Sequence, residues 1–153
     1  MGLAEFLVLA KINGYATGGE GRESKLEDGG KELKFSEGDL SYRDKYYGFD
    51  PFSGEEIVWK GGEIIWSMNY YGGVDPDHAA IAKKIYEFLK KVLEMVGEAS
   101  PFRGPEKFTE GDFSYENSYE GDIEKFKGSE RILLKGKEVY SLEYHGGLIK
   151  QKG

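Results

Sequence analysis

The chain repeats itself. Residues 34–48, KFSEGDLSYRDKYYG, match residues 107–121, KFTEGDFSYENSYEG, at nine of fifteen positions. Further on, Gly54-Glu55-Glu56 meets Gly128-Ser129-Glu130, and residues 67–73 meet residues 141–147, with the order preserved. A fixed order over such a length reads as tandem duplication of a unit of roughly 75 residues. It predicts one domain, residues 1–153, made of two repeats at about 3–73 and 76–149. A chain of this length can bury roughly 70% of its unfolded surface, so a core needs no disulfide or metal staple.

Each repeat opens on a helical pattern. Leu3, Phe6, Leu7 and Ala10 share one face, and that helix is expected to stop near Gly14. In the second repeat Asp75 is an N-cap candidate with Pro76 at the first helical position. Ile81, Ile85, Phe88, Val92 and Met95 then form a stripe, and Gly97 is the expected end. Residues 17–31, with five glycines, are expected to be a mobile loop.

Four short strands are expected after each helix. Glu37-Gly38-Asp39 and Glu110-Gly111-Asp112 read as tight turns. Beyond the first turn, Leu40, Tyr42, Asp44 and Tyr46 alternate with Ser41, Arg43 and Lys45. Residues 55–60 and 63–71 follow, the latter placing Ile64, Trp66, Met68 and Tyr70 opposite Ile65, Ser67, Asn69 and Tyr71. Period-two alternation with short turns means antiparallel meanders. The predicted class is α+β: a helix plus antiparallel meander, twice, related by a pseudo-two-fold axis.

Composition removes several function classes. Acidic side chains number 28 against 21 basic ones, a net charge of −7, which argues against nucleic-acid binding and against anionic membrane surfaces. No cysteine is present, so thiolate chemistry and Cys-based metal sites are absent. The N-terminal residues lack a secretory signal pattern, and the longest uncharged stretch, residues 64–74, is half a membrane span. A cytoplasmic location is expected. Glu and Lys total 37 against four Asn, Gln and Cys, a bias shared by heat-adapted proteins. Two histidines and no H-E-x-x-H leave no metal motif, and neither a nucleophile elbow nor a phosphate loop occurs. No cofactor is implied.

The two repeats share Tyr42/Tyr115, Tyr46/Tyr119, Glu56/Glu130 and Tyr70/Tyr144. Glu56 and Glu130 have the parity of Val58 and Ile132, hence the apolar face, and Asp44 falls between inward tyrosines. Buried carboxylates need partners. Two readings stand: a closed hydrogen-bond network that fixes register, or the polar floor of a ligand cavity. Positions that differ between repeats include Asp44/Asn117, Trp66/Tyr140, Asn69/Glu143, Tyr71/His145 and Ile57/Arg131. The candidate ligand residues are therefore Tyr42, Asp44, Tyr46, Glu56, Trp66, Asn69 and Tyr71 from the first repeat. Tyr119, Glu130 and His145 join them from the second.

The first-repeat pattern FLVLAKINGYA then SYRDKYYGFDPFSGEEIVWKGGEIIWSMNYYGG, and the second-repeat PFRGP then YENSYEGDIEKFKGSERILLKGKEVYSLEYHGGLI, carry a resemblance. They resemble a prokaryotic family of uncharacterised domains found alone or fused behind an XRE-type helix-turn-helix. Residues 66–72 and Gly54 to Glu56 are the more specific parts. That resemblance implies a sensor or effector-binding context and no reaction. Only one short helix precedes the first meander, which argues against DNA binding by this chain.

The leading expectation is a small-molecule sensing or binding domain with an aromatic and acidic pocket, suited to a cationic or polyhydroxyl guest. One rival is an enzyme using Asp44 or Glu56 as general base, with His145 as a second group. Another is an interaction or homodimerisation module working through sheet edges.

Overall fold

Alternation of apolar and polar residues is realised as one long sheet. A computed structural model describes residues 1–15 and 23–152. Helix α1 (Leu3–Tyr15) leads into β1 (Ser24–Lys25), β2 (Lys31–Glu37), β3 (Leu40–Gly48), β4 (Phe52–Lys60) and β5 (Glu63–Val74). A 3-10 segment (Pro76–Ile81) and α2 (Ala82–Leu93) follow, then β6 (Lys107–Glu110), β7 (Phe113–Asp122), β8 (Lys125–Leu134) and β9 (Lys137–Leu148). All nine strands pair antiparallel in the order β1-β2-β3-β4-β5-β9-β8-β7-β6. The class is α+β and mostly sheet.

Every neighbour in this order is a hairpin partner except β5 and β9. After β5 the chain leaves the centre, passes through α2, enters the far edge at β6 and returns strand by strand. The registers on either side of the β5–β9 pairing run in parallel. Tyr42, Asp44 and Tyr46 lie opposite Val58, Glu56 and Gly54, while Tyr115, Asn117 and Tyr119 lie opposite Ile132, Glu130 and Gly128. Each half carries one bulge, at Val58/Trp59 and at Ile132/Leu133. Gly38 and Gly111 supply the positive φ of the two matching turns, at 61° and 60°.

Both helices lie on one sheet face. Phe6, Leu7 and Ala10 of α1 and Ile85, Phe88, Leu89 and Val92 of α2 join Val58, Trp66, Met68, Ile132 and Leu142 of the sheet in one buried cluster. Phe6 meets Phe35 of β2, Phe88 stacks on Phe108 of β6 and Phe113 of β7, and Tyr86 meets Phe52 of β4, so α2 reaches both halves of the sheet.

Several boundaries differ from the sequence reading. Residues 17–22 of the expected loop lie outside the described residues, and the remainder is partly ordered: β1 pairs with β2, and Leu26 N–H donates to Gly30 O at 2.8 Å. Asp75 caps the 3-10 segment, its side chain accepting from Asp77 N–H, rather than α2 itself. Helix α2 ends at Leu93, short of Gly97, and Met95 is exposed. Strands β4 and β8 are longer than periodicity alone suggests because glycines at 54 and 128 interrupt the side-chain pattern but not the ladder. Among the described residues no helix is long and apolar enough to cross a membrane.

Candidate functional site

Parity places the polar residues. On the helix-covered face, β3 directs Tyr42, Asp44 and Tyr46 inward, β4 directs Glu56, and β8 directs Glu130. Two cations reach them from outside the sheet. Lys11, one turn after Leu7 on α1, is buried: its Nζ lies 3.0 Å from Glu56 Oε1 and donates to Phe102 O. Arg103, in the segment after α2, sends its Nε and terminal nitrogen to Glu130 Oε1 at 3.2 and 2.6 Å.

Tyrosines complete the cluster. Tyr42 OH donates to Glu56 Oε1 at 2.8 Å, Tyr140 OH to Glu130 Oε1 at 2.8 Å, and Tyr115 OH to Glu130 Oε2. Burial, followed by the Glu130 charge, drives the Tyr115 and Tyr140 hydroxyls far above their ordinary pKa, so both remain donors. Among the described residues Glu56 Oε2 has no hydrogen-bond partner, although it is sealed from solvent.

Asp44 stands apart from these pairs. Among the described residues no lysine or arginine forms an ion pair with it, and its Oδ1 accepts the Tyr70 hydroxyl at 2.6 Å. Burial, then the neighbouring Glu56 charge, pushes its pKa up to about 7; the Tyr70 hydrogen bond opposes them in part. Burial likewise lowers the Lys11 pKa, with Glu56 resisting.

Asp44 also lines a solvent-open cavity of about 290 Å³ between α1, α2 and the sheet. Leu33, Phe52, Leu89 and Leu93 form apolar parts of its wall, with Tyr70 and Arg103 beside Asp44. Phe49 and Phe52 meet Tyr86 edge to face, at 5.1 and 5.8 Å between ring centroids. Asp50 fixes that corner by accepting from Tyr86 OH and Val74 N–H, both at 2.8 Å. Apolar walls with a few convergent polar groups are what small-molecule sites consist of.

The sheet divides the residues singled out from sequence. Asp44 and Tyr46 line the cavity, and Tyr42 and Glu56 lie behind Asp44 in the buried cluster. Trp66 is fully buried away from it, donating Nε1–H to Ile123 O at 3.1 Å and stacking on Phe126. Glu130 is closed off by Arg103 and two tyrosines, and Tyr119 is 41% exposed, packed on Phe102. Asn69, Tyr71 and His145 face the opposite side of the sheet, lining an open depression of about 540 Å³ with Glu55 and Glu143. They share no site with Asp44.

Lys11, Arg103 and the Phe49–Phe52–Tyr86 wall went unread in sequence. Lys11 had a signal, since its spacing from Leu7 places it on the buried stripe. Arg103 had none, because its loop position carries no periodicity.

Residues 44–149 match a family described as a domain of unknown function, DUF5680. Neither a curated protein nor a solved structure matches the chain. The matched span holds Asp44, Glu56, Arg103 and Glu130, whereas α1 and Lys11 precede it.

Proposed function

The chain belongs to the DUF5680 family, and from that premise we propose that it is a small-molecule-binding module whose site is the cavity over Asp44. The observation that carries this reading is the union of an aromatic wall with a buried carboxylate that forms no ion pair among the described residues. A carboxylate burdened in this way disfavours the folded chain, so its presence in the lining of this cavity suits a ligand role. The reading also fits a sensing context such as attachment to regulator proteins. The parallel registers and paired bulges support descent of both halves from one duplicated unit, with the second half keeping Asn117 where the first has Asp44.

A thermal-shift screen against a metabolite library tests the proposal, repeated on Leu33→Trp, which fills the cavity from β2. Binders should raise the melting temperature of the unaltered chain and not of the filled variant. Absence of any stabilising compound, or equal shifts in both proteins, overturns it.

A second reading, acid–base catalysis by Asp44, draws support from its raised pKa, which suits proton transfer near neutrality. It requires turnover of a bound compound that Asp44→Asn abolishes.

A further inference from the structure

The count of buried charges narrows what the cavity would take, given the binding reading above. Five ionisable side chains of opposite sign are buried together among the described residues: Lys11 and Arg103 against Asp44, Glu56 and Glu130. Glu56 has Lys11 at 3.0 Å, and Glu130 has Arg103 at 2.6 Å. Asp44 is the third carboxylate, accepting a hydrogen bond from the Tyr70 hydroxyl, and it is the one of the three that lines the cavity. The groups acting on it come from every surrounding element: Lys11 of α1, Glu56 of β4, Tyr70 of β5 and Arg103 after α2. Lys90 of α2 stands exposed on the cavity rim. A buried carboxylate in excess of its cations is neutralised either by a proton or by a positively charged guest.

The corresponding place in the other half makes the contrast. Asn117 accepts from Tyr144 OH at 2.8 Å and donates to Gly104 O at 3.0 Å, so it is satisfied and carries no charge. Among the described residues, Asp44 rather than Asn117 carries a charge in excess of its ion pairs and lines the cavity.

We propose that the cavity binds a compact monoammonium compound with an apolar ring-sized body, its N–H groups donating to Asp44 and its body against Phe49, Phe52 and Tyr86. About 290 Å³ lies at the small end of ligand sites, below what a nucleotide-sized guest fills. The aromatic side chains in its lining, Phe49, Phe52 and Tyr86, favour a cation further. Proton and ammonium compete for the same oxygens. With half-protonation of Asp44 near pH 7, affinity should fall about tenfold between pH 8 and pH 6.

The test is calorimetric titration of the full chain with 2-phenylethylamine, with 2-phenylethanol as the uncharged control, at pH 8 and pH 6. The expected result is binding of the amine at least tenfold tighter than the alcohol at pH 8, with that preference shrinking about tenfold at pH 6. In Asp44→Asn the preference should vanish. Equal binding of amine and alcohol overturns the ammonium assignment and leaves the cavity as a site. Failure of both compounds also overturns it, and the library screen then decides separately whether the binding reading survives. Should Asp44→Asn fail to fold, amine affinity that is independent of pH in the unaltered chain is the overturning result.

Discussion

Tyr70 and Tyr144 lie directly opposite each other where β5 pairs with β9, yet their hydroxyls diverge: Tyr70 donates to Asp44 at 2.6 Å and Tyr144 to Asn117 at 2.8 Å. Each ring crosses a glycine on the neighbouring strand, Gly54 or Gly128. The same scaffold thus presents a titrating acid on one side and a neutral amide on the other.

Asp44 should make stability fall with rising pH. Its carboxyl holds a proton up to about pH 7 in the folded chain, against 3.8 ordinarily, so between those values the folded form binds more protons than the unfolded one. Stability therefore declines from about pH 4 to pH 7 and levels off above, by an amount on the order of 4 kcal/mol. Asp44→Asn lacks this decline. Urea denaturation at pH 4.5 and pH 8 should show the variant gaining on the unaltered chain by a few kcal/mol at the higher pH. Asp28, pulled down to about 2 chiefly by its hydrogen bond from Lys45, is common to both proteins and cancels.

Removing Arg103 should be severe. Arg103→Met strands Glu130 with only tyrosine hydroxyls for company, a loss of about 3–5 kcal/mol for a buried pair broken on one side. Arg103→Lys should recover only part of this, because a single ammonium cannot reproduce the two N–H contacts to Oε1. Denaturant midpoints of the three proteins order them.

Lys11 and Glu56 should couple strongly. Lys11→Met and Glu56→Gln each leave a buried partner uncompensated, and each should lower stability by about 3 kcal/mol or more. The double variant should regain most of the sum, giving a coupling energy above about 1 kcal/mol in a double-mutant cycle.

Gly54→Ala and Gly128→Ala should both destabilise. A methyl group at either position overlaps the Tyr70 or Tyr144 ring and hydroxyl, so the tyrosine must leave its acceptor. A loss of about 1–3 kcal/mol is expected for each, read as a lowered melting temperature. In Gly54→Ala the pH dependence assigned to Asp44 should also change, since Tyr70 no longer reaches it.

The alternation of β3 and β5 was legible in the sequence down to individual side chains, because a half-buried strand writes its parity directly into residue type. Glu56 and Glu130 were visible as carboxylates out of place on an apolar face. Their cations were not: a carboxylate's parity says that a partner is needed, whereas Lys11 and Arg103 are brought in by packing of α1 and of a loop. Asn69 and Tyr71 differ between the two halves as Asp44 does, but the alternation of β5 already set them on the face opposite Trp66 and Tyr70, so difference between halves and membership of one site are separate signals. The aromatic wall was hidden for another reason. Phe49 and Tyr86 lie far apart in the chain and meet only through the 48–51 turn that Asp50 anchors.

The position of β9 bears on how the protein is made. It is the last strand in chain order but fills the middle of the sheet, between β5 and β8. During synthesis, β1 to β5 emerge first and present the full length of β5 as an unpaired ladder until the final hairpin closes over it. Assembly of the sheet therefore waits on its most distant strand pairing, and a polypeptide stalled before residue 137 would expose an adhesive seam to every similar nascent chain.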